Sequence, residues 1–253
     1  MQKVIVIINN LAIGGAERVA VDDINALLDA GVDVVLATLK HEGAQSFASQ
    51  CRISKEKWIV IPFRSMHDMR AWHQMWRLLR SEKPDLIVSH LWYANTIGRI
   101  AALFAGMQSN YIAVEQNVYD TIKTRRMFVY DYVLQFFCKK IIAVSHAVKH
   151  SLIRHGVHER RIDVLYNAVD ASRYGSRTER IQTRTTLCLS ENDFVYICVG
   201  RLIPQKGMDV LLRALAAVPE GKLIIVGQGP LRESLVSLTK ELGLVDRVIF
   251  AGV

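Results

Sequence analysis

Short apolar runs alternate with amphipathic stretches along most of the chain. Residues 4–8, 32–39, 58–61, 86–88, 111–114, 141–144 and 162–165 are runs of strand length, dominated by Val, Ile, Leu and aromatic residues. Side chains that are apolar in both directions suit strands covered on both faces, as in a parallel sheet. Helical spacing fills most of the gaps. Ala16, Ala20, Ile24, Leu27 and Leu28 form one stripe, stopped by Gly31; Ile97, Ile100, Ala101 and Phe104 form another, stopped by Gly106. Ser145 stands where it would cap a helix carrying Val148, Leu152 and Ile153, which ends at Gly156. Strands alternating with helices predict an α/β protein with a mostly parallel, doubly wound sheet.

A second alternation begins near Phe194. The strand runs are 194–199, 223–226 and 248–251, and between them lie helical stripes at Met208, Leu211, Leu212 and Leu215 and at Leu231, Leu235, Leu238 and Leu242. The intervening stretch 170–193 is polar and rich in Ser, Thr and Arg, which predicts a linker and two domains, 1–170 and 171–253. Three strands and two helices make only part of a doubly wound sheet. The last strand run has no closing element after it, and open strand edges are normally covered. The pattern therefore predicts a fold cut short in its second domain.

Composition narrows the class. Half the residues are apolar, at 51%, which is enough for a substantial core and excludes a disordered chain. None of the four cysteines (Cys51, Cys138, Cys188, Cys198) is paired at C-x-x-C spacing, which suits a reduced, cytoplasmic protein. The N-terminus enters a strand directly, without a signal-type apolar region, and no apolar run of about 18 residues predicts a membrane-spanning helix. The net charge of +8 points to anionic partners: phosphorylated substrates, anionic lipid or nucleic acid. Zinc-finger spacing, RNP-like strings and recognition-helix motifs are all missing, so nucleic acid is not expected. A helix at 66–80 is predicted to pack Met69, Trp72, Trp76 and Leu79 and to leave Arg70, His73, Arg77 and Arg80 on its outer face. That basic face reads either as an ordinary solvated surface or as a contact with an anionic membrane. The stretch 123–140, with Arg125, Arg126, Lys139 and Lys140 around Phe128, Tyr130, Phe136 and Phe137, is open to the same two readings.

The candidate chemistry lies on two turns. In VGRLIPQKG (199–207), Arg201 and Lys206 sit five residues apart between a strand and a helix. Such turns lie at the carboxyl edge of an open α/β sheet, where ligands bind. Glycines, a helix N-terminus and two cations can together grip a diphosphate. The first strand leads to Gly14 and Gly15, which open a helix and let a phosphate approach the backbone. A G-x-G-x-x-G string is missing after that strand, which argues against a nicotinamide or flavin enzyme. His90 follows the fourth strand run, where it is either a site residue or a hydrogen-bonded structural histidine. His146 and His150, four apart on a helix, lack the further ligands of a metal site and read as a solvated face. Ser145, with no G-x-S-x-G around it, reads as a helix cap.

Seven segments, taken in order, resemble the family-4, group-1 glycosyltransferases of GT-B fold. They are GGAERVA (14–20), SHLWYANTIGRIAA (89–102), AVSHAVKHSL (143–152), YNAVDASRY (166–174), VGRLIPQKGMDVLLRA (199–214), GQGPLRESL (227–235) and IFAG (249–252). The resemblance spans nearly the whole chain. It implies two Rossmann-like domains facing a cleft, the first on the acceptor side and the second, incomplete here, holding the donor. The implied activity is transfer of a sugar, with retention, from a nucleotide-diphosphate sugar to a lipid-linked or polysaccharide acceptor. By position, Arg201 and Lys206 would bind the donor diphosphate, Gly14 and Gly15 would offer backbone to the distal phosphate, and Gly229 would line the donor site. His90 and Gln116 would stand at the reacting centre. No D-x-D string is present, so neither metal nor other cofactor is implied, and the cations would stabilise the departing diphosphate.

The chain departs from the family pattern in two places. Many members carry a His where Gln116 stands, and Gln can hydrogen-bond to a sugar but cannot exchange a proton as His does. The family's E-x7-E motif and nucleotide-base pocket would lie beyond Val253. Two other readings remain open from sequence: a non-catalytic fragment or binding subunit completed by a partner, and a sugar-nucleotide epimerase of similar architecture.

Overall fold

The computed structural model describes residues 2–43, 45–118, 123–169 and 177–253, the side chains of Arg177 and Thr178 excepted. The chain divides into two compact units, Met1–Val169 and Asp170–Val253.

Seven strands of the first unit pair in parallel: β1 (Lys3–Ile8), β2 (Asp33–Thr38), β3 (Trp58–Val60), β4 (Leu86–His90), β5 (Tyr111–Glu115), β6 (Lys140–Ala143) and β7 (Ile162–Val164). Their order is β3-β2-β1-β4-β5-β6-β7, so the winding reverses between β1 and β4. The connecting helices are α1 (Gly15–Asp29), α2 (Met69–Glu82), α3 (Trp92–Ala105), α4 (Arg125–Leu134) and α5 (His146–Arg154). Period-2 alternation splits the strands between two cores. Val4, Val6 and Ile8 pack with Ala20, Val21 and Ile24 of α1. Ile5, Ile7, Ile87, Tyr111 and Ala113 pack with α2, α3 and α5 on the other face. Ser145 caps α5 by accepting from the Val148 backbone N–H at 3.2 Å.

Two helices turn differently from the sequence expectation. Helix α2 buries Ala71, Met75, Leu78 and Leu79, whereas Met69 and Trp76 are exposed beside Arg70, His73, Arg77 and Arg80. The smaller residues at 71, 75 and 78 give the sheet a closer approach than a Met69–Trp76 stripe. Trp72 lies half-buried against Phe63 and donates to the Met66 carbonyl at 2.9 Å. In α3, Ile97 and Ala101 are buried in the core as expected, but Phe104 is 75% exposed and the buried face continues through Ala94, Gly98, Ala102 and Ala105. A Cβ at Gly98 would collide with the Tyr111 ring, so this helix can sit against β5 only through small residues.

The second unit carries β8 (Val195–Val199), β9 (Lys222–Val226) and β10 (Val248–Gly252), parallel in the order β10-β9-β8, with α7 (Met208–Ala216) and α8 (Arg232–Glu241). Its core joins Met208, Leu212, Leu215, Leu223, Ile225, Leu235 and Val248. The stretch read as a linker is helical in part: α6 spans Arg177–Thr186, while 170–176 lies outside the described residues. With only one apolar residue, Ile181, in ten, α6 shows no stripe to read. It lines a cavity of about 280 Å³ with Val195 and Ile224. On the same sheet face, Ile197 and Val199 remain 65% and 71% exposed, and β8 is an edge strand.

Beneath the first sheet's carboxyl edge lies a buried charge cluster. Asp131 of α4 takes Arg99 of α3 at 3.1 Å and Lys123 at 2.6 Å, and Lys123 lies 3.8 Å from Glu115 at the end of β5. All four are at least nine-tenths buried. Asn95 donates to the Glu115 carboxylate at 2.9 Å and to the Val114 carbonyl at 3.0 Å. Burial pushes the Glu115 pKa up, against the pull of Lys123. Among the described residues no helix is long and apolar enough to cross a membrane.

Two outcomes follow from this packing. Asp131→Ala strands two buried cations and should cost about 3–5 kcal/mol, read by urea unfolding; a loss below roughly 1 kcal/mol would mean that water reaches the cluster. Amide hydrogen exchange should be fast along the outer edge of β8 and slow throughout β9; equal protection of the two would contradict an open β8 edge.

Candidate active site

Both sheets gather the sequence-predicted residues at their carboxyl edges, each within its own unit. In the first unit, the chain leaves β1 through residues 9–13 and enters α1 at Gly15. Glu42 clasps this turn by accepting from the Leu11 N–H at 2.8 and 3.0 Å, and the Leu11 carbonyl accepts from Phe47 N–H at 2.7 Å. Gly14 is the N-cap in ordinary extended backbone and gives α1 no side-chain cap. A Cβ at Gly15 would meet nothing within 4 Å. The start of this 15-residue helix is open beside Gly15, while the Glu17 carboxylate of its own first turn stands against Gly14 and shares the N-terminal dipole. Arg18 is engaged elsewhere: it forks onto Asp22, bonds Gln50, and lies over the Phe47 ring at 5.6 Å.

His90 ends β4 beside this turn and is fully buried. Its Nδ1 lies 3.0 Å from Gln116 Nε2, just past β5, so the two expected residues meet. His90 Nε2 has no hydrogen-bond partner among the described residues but lies 3.8 Å from the carboxylate of Asp23 on α1. Burial pulls the His90 pKa down to about 4, so the ring is neutral at physiological pH. The Asp23 side chain is 57% exposed, and partial desolvation against the sheet, with the neighbouring Asp22, raises its pKa above the usual carboxylate range. The next residue, Leu91, has φ 74° and ψ 149°, a backbone that a bulky side chain rarely adopts and that costs on the order of 1–3 kcal/mol. It is imposed from both sides: the Leu91 side chain packs with the α1 core while its N–H donates to the Val114 carbonyl at 3.3 Å. Asn9 Oδ1 and Trp92 Nε1, also near this edge, are buried without a hydrogen-bond partner among the described residues.

In the second unit, Gly200 follows β8 and the chain makes a short 3-10 turn, Pro204–Lys206, into α7. Gly207 supplies the turn's left-handed residue at φ 60° and is also the N-cap of α7, which no side chain caps. Arg201 and Lys206 are exposed, and neither forms an ion pair with a described residue. Two carbonyls of this turn press on the following one: a Cβ at Gly227 would collide with the Gly200 oxygen, and one at Gly229 with the Leu202 oxygen. Leu202 N–H donates to Gln228 at 2.9 Å and its carbonyl accepts from Leu231 at 3.2 Å. Gly229 thus has a packing reason to be glycine.

The histidines His146 and His150 are exposed with ring centroids 6.3 Å apart, and no group of three or more metal-ligating side chains occurs among the described residues. Sequence reasoning missed Asp23, Glu42 and Leu91. Asp23 had a signal: it is a carboxylate flanking the Ala20–Ile24–Leu27 stripe.

Both units match known protein families. Residues 13–173 match Glycosyltransferase Family 4, and residues 179–253 match Glycosyl transferases group 1. The UDP-Gal:alpha-D-GlcNAc-diphosphoundecaprenol alpha-1,3-galactosyltransferase of Escherichia coli is 28% identical over 200 residues, covering 73% of this chain and 51% of the relative. A D-inositol 3-phosphate glycosyltransferase of Mycolicibacterium vanbaalenii is 33% identical over 125 residues, 44% of this chain and 27% of the relative. Among solved structures, Anabaena HepE in complex with UDP and glucose superposes with TM-score 0.85 at 22% identity, covering all of this chain and 69% of the other. The chain thus spans about half the length, or less, of these curated relatives. With its α/β fold of GT-B type and a short second domain, the chain belongs to the glycosyltransferases of Glycosyltransferase Family 4, joined to a segment of the group 1 kind.

Proposed function

We propose that the protein is a retaining glycosyltransferase that takes a sugar from a nucleoside-diphosphate sugar and gives it to a lipid-linked or polysaccharide acceptor. One observation carries the reading: Arg201 and Lys206 stand exposed, without ion-pair partners among the described residues, beside the uncapped N-terminus of α7. As the bond from the anomeric carbon to the diphosphate breaks, negative charge builds on the leaving oxygens. Cations placed beforehand stabilise that charge more than they stabilise the bound donor. The open N-terminus of α1 at Gly14 and Gly15 offers the distal phosphate further donors without a metal. His90 is neutral and buried with its Nδ1 on Gln116, so the part toward the reacting sugar falls to the partly exposed Gln116, as a hydrogen-bonding group rather than a charge, with His90 behind it. Gly229 lines the donor side through its backbone.

The surface of the first unit favours a lipid-linked acceptor met on the cytoplasmic face of an anionic membrane. Helix α2 presents Arg70, His73, Arg77 and Arg80 together with Trp76 and Met69, and α4 presents Arg125 and Arg126 with Val129, Tyr130, Tyr132 and Val133. Basic faces interleaved with aromatic side chains dock at that boundary. The exposed Ile197 and Val199 on the edge strand β8 favour a second reading, in which further polypeptide completes the donor unit.

Arg201→Ala and Lys206→Ala should each lower kcat for sugar transfer by about 10²–10³-fold, the usual size of losing one transition-state donor. The assay follows radiolabelled sugar from a panel of nucleoside-diphosphate sugars into undecaprenol-linked acceptors. Unchanged rates in both variants would overturn the assignment of the diphosphate grip. Acceptor-independent release of an epimerised sugar would replace transfer by epimerisation.

A further inference from the structure

His90, Gln116 and Asp23 form a chain whose proton positions are not independent. A neutral imidazole carries one N–H and one bare nitrogen. The Asp23 carboxylate lies 3.8 Å from His90 Nε2, and a neighbouring anion favours the tautomer that carries the proton there; Nδ1 is then bare and can accept from the Gln116 amide, 3.0 Å away. At 3.8 Å that contact is electrostatic rather than a hydrogen bond, and Nε2 has no hydrogen-bond partner among the described residues. The opposite tautomer would turn the Nε2 lone pair toward an anion and leave Gln116 facing an N–H with its NH2. Among the described residues nothing bonds Gln116 Oε1, and Gln116 is partly exposed.

We propose that Asp23 is a positioning residue which, through the tautomer of His90, fixes the amide of Gln116 so that its carbonyl oxygen faces the substrate and accepts a hydrogen bond from a sugar or acceptor hydroxyl. The inference rests on the transferase reading only for the identity of that hydroxyl. When Asp23 gains a proton it can donate to His90 Nε2; the imidazole proton then sits on Nδ1, and Gln116 must turn its amide to accept it. The NH2 edge then faces the substrate. One proton added at Asp23 therefore converts Gln116 from acceptor to donor, with the imidazole neutral throughout.

The surroundings suit such coupling. Facing Asp23 are Asp22 on the same helix, already held by Arg18, and His90 on β4. The β1 and β2 residues packed under α1 are the apolar Val4, Val6, Ile8, Val34 and Leu36. The Glu115, Lys123, Asp131 and Arg99 cluster belongs to the opposite sheet face, because Glu115 shares the face of Tyr111 and Ala113 on β5, away from α1. The Asp23 pKa is raised and that of the buried His90 lowered, so as pH falls Asp23 takes its proton before the ring charges.

Long-range 1H–15N correlation on the 15N-labelled chain reads the tautomer directly, with neither donor nor acceptor present. At pH 8, His90 should show a proton on Nε2 and a bare Nδ1, and below about pH 6 the Nδ1–H form should grow, since that is where Asp23 protonates. Asp23→Asn, whose NH2 donates to Nε2, should give Nδ1–H at every pH. Asp23→Leu should abolish the pH dependence. Gln116→Glu, which only accepts, should raise the Nδ1–H population at pH 8. Nδ1–H in the unmodified chain at pH 8, or a tautomer indifferent to Asp23→Asn or to Gln116→Glu, would overturn the proposal. The unmodified chain's titration decides even if a variant fails to fold. The expected spectra without sugar transfer would instead count against the transferase reading alone.

Discussion

Removing a carboxylate from water costs several kcal/mol unless opposite charge and hydrogen bonds replace the solvent, and this chain buries two of them together. Asp131 and Glu115 are held by Arg99 and Lys123, and Asn95 adds its amide to Glu115. The cluster ties α3, α4 and the end of β5 to one another under the carboxyl edge of the sheet. Apolar packing of similar volume could stabilise these elements equally well, but it would tolerate small slips. Directional bonds to Asn95, which also holds the Val114 carbonyl, fix where β5 ends and therefore where Gln116 begins. The position of Gln116 is in this sense set from beneath, across the sheet.

The strands were legible because parallel strands covered on both faces are apolar without interruption, and ten such runs correspond to ten strands. Helix faces were less legible. In α2 the large residues Met69 and Trp76 drew the stripe to themselves, although the sheet takes the smaller set Ala71, Met75 and Leu78. Helix α6 was invisible because it is polar nearly all round. At the site, Arg201, Lys206, Gly14 and Gly15 announce themselves by type and by place on a turn. Asp23 and Glu42 do not, since each acts on a residue distant in sequence: Asp23 on His90, and Glu42 on Leu11. Only folding brings those pairs together.

The two units offer the proposed anion different chemistry. The first uses an uncapped helix start with free space at Gly15, and its nearest cation, Arg18, is already engaged by Asp22 and Gln50. The second places two cations, without ion-pair partners among the described residues, beside its own uncapped helix. A backbone grip is tolerant of which phosphate it meets, whereas a charged grip is strongest for the group that gains charge. Division of labour between a static contact and a transition-state contact follows from the chemistry of each.

The carbonyls of Gly200 and Leu202 rest against Gly227 and Gly229 so closely that neither glycine can carry a side chain. The turn after β8 and the turn after β9 therefore share one backbone interface. Insertions and substitutions, which diversify most surface loops freely, are barred from both at once, because a change in either displaces the other. Divergence among descendants of this sequence should be frozen here, and new donor preferences would have to arise from segments outside this pair of turns.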